Sequence, residues 1–117
     1  PPPAFLREEV LYRLMGDTGM LEVLLQQFLD EVPRQLASLQ NLFAAKDYHQ
    51  LSRQAHTLKG SAANLSAPQI RDGAKELEEA ALDASQARAE TALLALREAF
   101  QVFREQAGKE RGPYAPS

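Results

Sequence analysis

Cysteine is absent from the 117 residues, which removes disulfides, thiolate metal sites and a cysteine nucleophile together. Basic runs are missing as well. Lys and Arg number 13 against 16 Asp and Glu, giving a formal charge of −3 and a pI near 5.4, a poor match for the phosphate backbone of a nucleic acid. No stretch approaches the roughly 18 apolar residues of a membrane span, and no signal peptide is visible. No segment alternates with period two, so no sheet is expected. Gly16 and Gly19 are too isolated for a phosphate-cradling loop, and no nucleotide site is expected. Histidine occurs only at positions 49 and 56. On one helix these two stand roughly 10 Å apart along the axis. They cannot chelate one metal, and no Asp or Glu lies four residues from either to help, so no metal is expected.

What is present is helical periodicity in a chain of one-domain size. Phe5, Leu6, Val10, Leu11 and Leu14 predict a short amphipathic helix ending at the turn Gly16-Asp17-Thr18-Gly19. Asp17 or Thr18 can cap the next helix, with Glu22 in its first turn. Leu21, Leu25, Phe28, Val32, Leu36, Leu39 and Phe43 then hold one stripe in phase, so Pro33 is expected to kink a single long helix rather than divide two. Asp47 caps a third helix, whose stripe is Leu51, Ala55, Leu58, Ala62 and Leu65. Ser66-Ala67-Pro68-Gln69 reads as a capping box with proline in the first turn, opening a helix that buries Ile70, Ala74, Leu77 and Ala81. Asp83-Ala84-Ser85-Gln86 repeats the cap signal. The last helix buries Ala89, Leu93, Leu96, Phe100 and Phe103, and Gly108 stops it.

The expected fold is all-α: an antiparallel four-helix up-down bundle with a short extra N-terminal helix packed across one end. Its expected extent is residues 4–107. Pro1-Pro2-Pro3 reads as a linker remnant of a longer polypeptide, and residues 108–117 as a flexible tail.

The third helix carries the chemistry. His56 points about 140° from the centre of its apolar stripe, in an arc with Ser52, Arg53, Lys59, Gly60 and Ala63. Its helix buries one face and offers a histidine on another. Gly60 lies about 40° from His56. A glycine inside a helix costs about 1 kcal/mol relative to alanine. Close packing of a neighbouring helix would explain it, and so would the need to leave the imidazole uncovered. The angle favours access. Lys59 is within side-chain reach of the ring and can balance negative charge placed there. Ser61 points some 140° away, which argues against a Ser-His pair, and His49 reads as a surface residue.

His56-Thr57-Leu58-Lys59-Gly60-Ser61 resembles the His-x-x-Lys-Gly-Ser signature of histidine-containing phosphotransfer (HPt) domains, which relay phosphoryl groups between receiver domains in bacterial phosphorelays. The likeness extends from about Val10 to Phe103 in apolar spacing, turns and helix lengths. Ser66 departs from it, since the family often has glycine there. The resemblance implies that His56 accepts a phosphoryl group through Nε2 from the aspartyl phosphate of a response-regulator receiver domain and passes it to another receiver. It implies a cytoplasmic carrier, monomeric, without an ATP site or a cofactor of its own, Mg²⁺ being held by the partner. A histidine kinase on the same chain is a further possible partner.

In an antiparallel hairpin centred near Ala67, His56 lies level with Glu78. That carboxylate can accept a hydrogen bond from one imidazole nitrogen, fixing the tautomer and exposing the other nitrogen as nucleophile. It can equally belong to the solvated run Lys75-Glu76-Leu77-Glu78-Glu79. HPt domains often have a polar acceptor at this level. Two other functions fit the same pattern: the phosphoacceptor domain of a chemotaxis-type kinase, and a structural helical docking domain in which His56 is incidental.

Overall fold

A computed structural model describes residues 3–111. It contains five helices: α1 (Arg7–Arg13), α2 (Thr18–Ala44), α3 (Tyr48–Asn64), α4 (Pro68–Leu82) and α5 (Gln86–Arg111). No strand occurs among the described residues. The helices α2 to α5 pack in sequence, and α2 closes the bundle against α5. The stripes read from the sequence form its core. Leu21, Leu25, Val32, Leu39, Leu51, Ala55, Leu58, Ala62, Ala74, Leu77, Ala89 and Leu96 are all fully buried, while Leu36 and Phe43 at the stripe's margin are only partly so. Pro33 lies within α2, which continues through it as one helix.

Unequal helix lengths explain the place of α1. At about 1.5 Å per residue, α2 with 27 residues and α5 with 26 overhang the shorter α3–α4 hairpin of 17 and 15. The N-terminal segment fills the overhang. Phe5 packs edge-on against Phe103 at 5.4 Å between ring centroids, and Phe28 meets the same ring at 5.1 Å. Phe5 and Leu6 precede α1 rather than belonging to it. The Leu6 amide donates to the Ser66 carbonyl at 3.0 Å and that of Ala4 to Gln106 Oε1 at 2.8 Å, so tertiary partners hold this stretch out of the helix.

Asp17 and Asp47 cap α2 and α3, accepting from the amides of Met20 at 2.9 Å and Gln50 at 3.2 Å. Two other end signals are corrected. Gly108 does not stop α5, which runs on to Arg111. Buried Ala107 and the Gln106 bond to Ala4 hold the helix there, and that packing outweighs one glycine. Of the stretches expected as a linker, 1–3, and as a tail, 108–117, residues 1–2 and 112–117 lie outside the described residues. Nor does Ser66 cap α4. The N-cap is Ala67, with no side-chain hydrogen bond. Ser66 instead ends α3 at φ +50°, with its amide on the Ala63 carbonyl and the Ala67 amide on that of Ala62. This is the paired closure of a left-handed helix terminus. Met15, Lys46 and Ala84 close α1, α2 and α4 in the same way.

Candidate functional site

The hairpin register brings His56 and Glu78 together. His56 Nδ1 lies 2.8 Å from Glu78 Oε2, and Lys59 Nζ donates to Glu78 Oε1 at 2.7 Å. Both helices make this possible through their buried stripes. Leu58 on α3 and Leu77 on α4 point into the core, which turns their neighbours Lys59 and Glu78 along the seam between the helices. The imidazole is 66% exposed, against 31% for the lysine side chain and 18% for the glutamate. A carboxylate can only accept from the ring, so in the neutral imidazole Nδ1 carries the proton and Nε2 keeps its lone pair. Among the described residues no hydrogen bond reaches Nε2.

The Glu78 carboxyl is held below the usual carboxylate range. The Lys59 hydrogen bond is the main cause and the His56 bond adds to it, against the opposing effect of partial burial. The acceptor for Nδ1–H is therefore an ionised carboxylate at neutral pH. Such a group both orients the ring and stabilises positive charge that develops on it.

Gly60 is open. A Cβ built on it finds no atom within 4 Å, so no helix packs there. The glycine that does serve packing is Gly73, where a Cβ would come within 3.0 Å of the Leu96 side chain. His49 is exposed, as read. Ser52 is not part of the accessible arc, since it is buried and its hydroxyl donates to the His49 carbonyl at 2.8 Å. A groove of about 740 Å³ lies between α4 and α5, lined by Gly73, Ala95 and Ala99 among others. None of its walls belongs to α3, so the histidine stands on open surface rather than in that cavity.

Sequence reasoning missed a second polar cluster at the end of α3. Ser66 Oγ donates to Glu9 Oε1 at 2.7 Å and accepts from Arg13 Nη2 at 2.9 Å, while the same Nη2 donates to the Asn64 carbonyl at 2.6 Å. The Glu9 carboxyl is lowered, chiefly by the Ser66 hydroxyl. The one signal for this cluster in the sequence was the departure at Ser66.

In this helical bundle the histidine that is pinned at Nδ1 by a carboxylate stands on an open surface rather than in an enclosed active site. The comparisons agree. The model of the Hpt domain family matches residues 23–106, and the chain belongs to that family, whose members carry out histidine phosphotransfer as phosphocarriers rather than kinases. Histidine-containing phosphotransfer protein B (HptB) from Pseudomonas aeruginosa PAO1 superposes with a TM-score of 0.88 at 26% identity, covering 98% of this chain and 100% of that one. The maize phosphotransfer protein ZmHP2 superposes with a TM-score of 0.78 at 21% identity, covering 91% of this chain and 78% of that one. A search of curated protein sequences returns no match. Among the described residues no helix is long and apolar enough to cross a membrane.

Proposed function

We propose that His56 is the residue that carries the phosphoryl group, taking it from the aspartyl phosphate of one receiver domain and giving it to the aspartate of another. The observation that carries this reading is the imidazole itself, 66% exposed and bonded through Nδ1 to Glu78. In the transfer, the Nε2 lone pair attacks phosphorus in line. The N–P bond forms as the P–O bond to the donor aspartate breaks, and that carboxylate leaves on the partner. The Nδ1 proton stays on the ring, which becomes a phosphoimidazolium whose positive charge faces Glu78. Transfer onward reverses these steps. The chain's contribution is a positioned nucleophile. Mg²⁺ and the other electrophilic groups belong to the receiver, and the chain needs neither an ATP site nor a cofactor of its own. Gly60 keeps the approach to Nε2 clear. On this reading the domain works as a monomer in the cytoplasm.

The test is labelling from a phosphorylated receiver. His56→Gln should abolish phosphate acceptance and His49→Gln should leave it intact. The bound phosphate should be acid-labile and base-stable. Label that survives His56→Gln and disappears in His49→Gln would move the site.

A further inference from the structure

The imidazole of His56 has two flanks. Nδ1 is turned to Glu78 on α4 at 2.8 Å, and the two ring nitrogens point away from one another, so Nε2 opens toward the flank away from α4. Lys59 lies about 60° from His56 on the α4 side, while Arg53 and Gly60 lie about 60° and 40° to the other side. The cation on the Nδ1 flank is committed, since Lys59 Nζ donates to Glu78 Oε1 at 2.7 Å. Arg53 is exposed, and among the described residues no hydrogen bond or ion pair engages its guanidinium. Arg34 on α2 is taken up by its own helix, its Nε donating to the Asp30 carbonyl at 3.3 Å. Height along the helix also favours Arg53. Helical side chains lean toward the N-terminus, so the imidazole covers the turn before its own Cα, which is the turn that carries Arg53. An i, i+3 pair of this kind lies within side-chain reach.

Resting on the reading of His56 as phosphoacceptor, we propose that Arg53 is a catalytic residue of the transfer, its guanidinium meeting the oxygens of the phosphoryl group on Nε2. The arriving group brings close to two negative charges. A guanidinium answers them with a planar fork that fits two phosphoryl oxygens at once. Arg53 and Gly60 then divide the Nε2 flank along the helix. Bare backbone one turn after the histidine admits the donor, and an uncommitted cation one turn before it holds the transferred group.

A small donor separates contact with the phosphoryl group from contact with a partner protein. Potassium phosphoramidate is used on the full chain in a His49→Gln background, which leaves His56 as the single histidine. The donor's P–N bond breaks and ammonia leaves as the Nε2–P bond forms. Arg53→Ala should slow phosphohistidine formation at least about fivefold with phosphoramidate as well as with a phosphorylated receiver, and Arg53→Lys should recover most of the loss. Lys75→Ala removes the same charge from the α4 side, where Lys75 is exposed, and should change the phosphoramidate rate by less than about twofold. Phosphorus NMR gives a readout independent of rate. A neighbouring cation favours the dianionic phosphoryl group, so its titration midpoint on His56 should rise by about half a pH unit in Arg53→Ala and hold in Lys75→Ala. A loss confined to the receiver donor would place the guanidinium on the partner and overturn the inference. Equal losses in Arg53→Ala and Lys75→Ala would reduce it to the general field of the surface and overturn it too, as would an unchanged rate in Arg53→Ala. Labelling that persists in His56→Gln would instead overturn the functional reading, so the two failures are distinguishable.

Discussion

Replacing Gly60 with glutamine separates the two reasons a helix interior keeps a glycine. The built Cβ meets nothing within 4 Å, so no packing is lost and no overpacking is introduced. Glutamine is a better helix former than glycine, and the substitution should stabilise the protein by about 0.5 kcal/mol. For a domain of this size that is a rise of about 2 °C in Tm. The new side chain leaves the helix about 40° from His56 and one turn on, where it stands over the approach to Nε2. Transfer from a phosphorylated receiver should fall at least about tenfold, equivalent to about 1.4 kcal/mol in the barrier. Transfer from phosphoramidate should fall less, because the obstruction is to a protein surface. Calorimetry and single-turnover transfer on the same preparation decide the matter. A lower Tm with normal receiver transfer would refute the access account and restore a packing role to this glycine.

His56→Gln should hold Tm within about 2 °C of the parent while abolishing labelling, since an exposed side chain away from the core contributes little to stability; a collapse of Tm would show that His56 supports the fold. Acid should loosen α1. The Glu9 carboxyl is lowered in the folded state by Ser66 first and also by Arg13, and Glu78 is lowered by Lys59 first. Groups of this kind add stability that is present above the unfolded carboxylate value, near 4.3, and lost as pH falls through the depressed folded values. Amide exchange in α1 should therefore accelerate from about pH 4 downward and slow again on neutralisation. Exchange that is equally slow at pH 3 and pH 6, after correction for intrinsic rates, would rule out the carboxylate's role.

The stripes made the fold legible. Leu51, Ala55, Leu58, Ala62 and Leu65 are all buried as their spacing requires, because one face of each helix has nowhere else to go. Glu78 was legible for the same reason. Once two helices are antiparallel and joined by a short turn, register places residue 78 beside residue 56 without any further information. The ends of elements were less readable. Gly108 carries a stop signal that packing at Ala107 overrides, and Phe5 has a helical spacing but lies ahead of α1, with its ring anchored on Phe103. The partner of Lys59 was also hidden. The sequence puts the lysine within reach of the imidazole, and only the side-chain geometry shows that the carboxylate takes it instead.

Ser66 was misread because a local signal and a distant one compete for it. Four residues read as a helix start, but the backbone there is finishing α3 at φ +50°, a conformation that costs a residue with a Cβ about 1 kcal/mol. Glycine would avoid that cost. The serine recovers something glycine cannot offer, because its hydroxyl is buried between Glu9 and Arg13, which come from α1, more than 50 residues away in sequence. The two effects can be measured apart. Ser66→Ala keeps the left-handed strain and removes the hydroxyl, so it should destabilise the protein and speed amide exchange across α1. Ser66→Gly loses the same hydroxyl but relieves the backbone, so it should be more stable than Ser66→Ala by about 1 kcal/mol while showing the same fast exchange in α1. Equal stabilities for the two variants would mean that the left-handed turn carries no strain. Unchanged exchange in both would mean that the hydroxyl does not hold α1 to the end of the histidine helix.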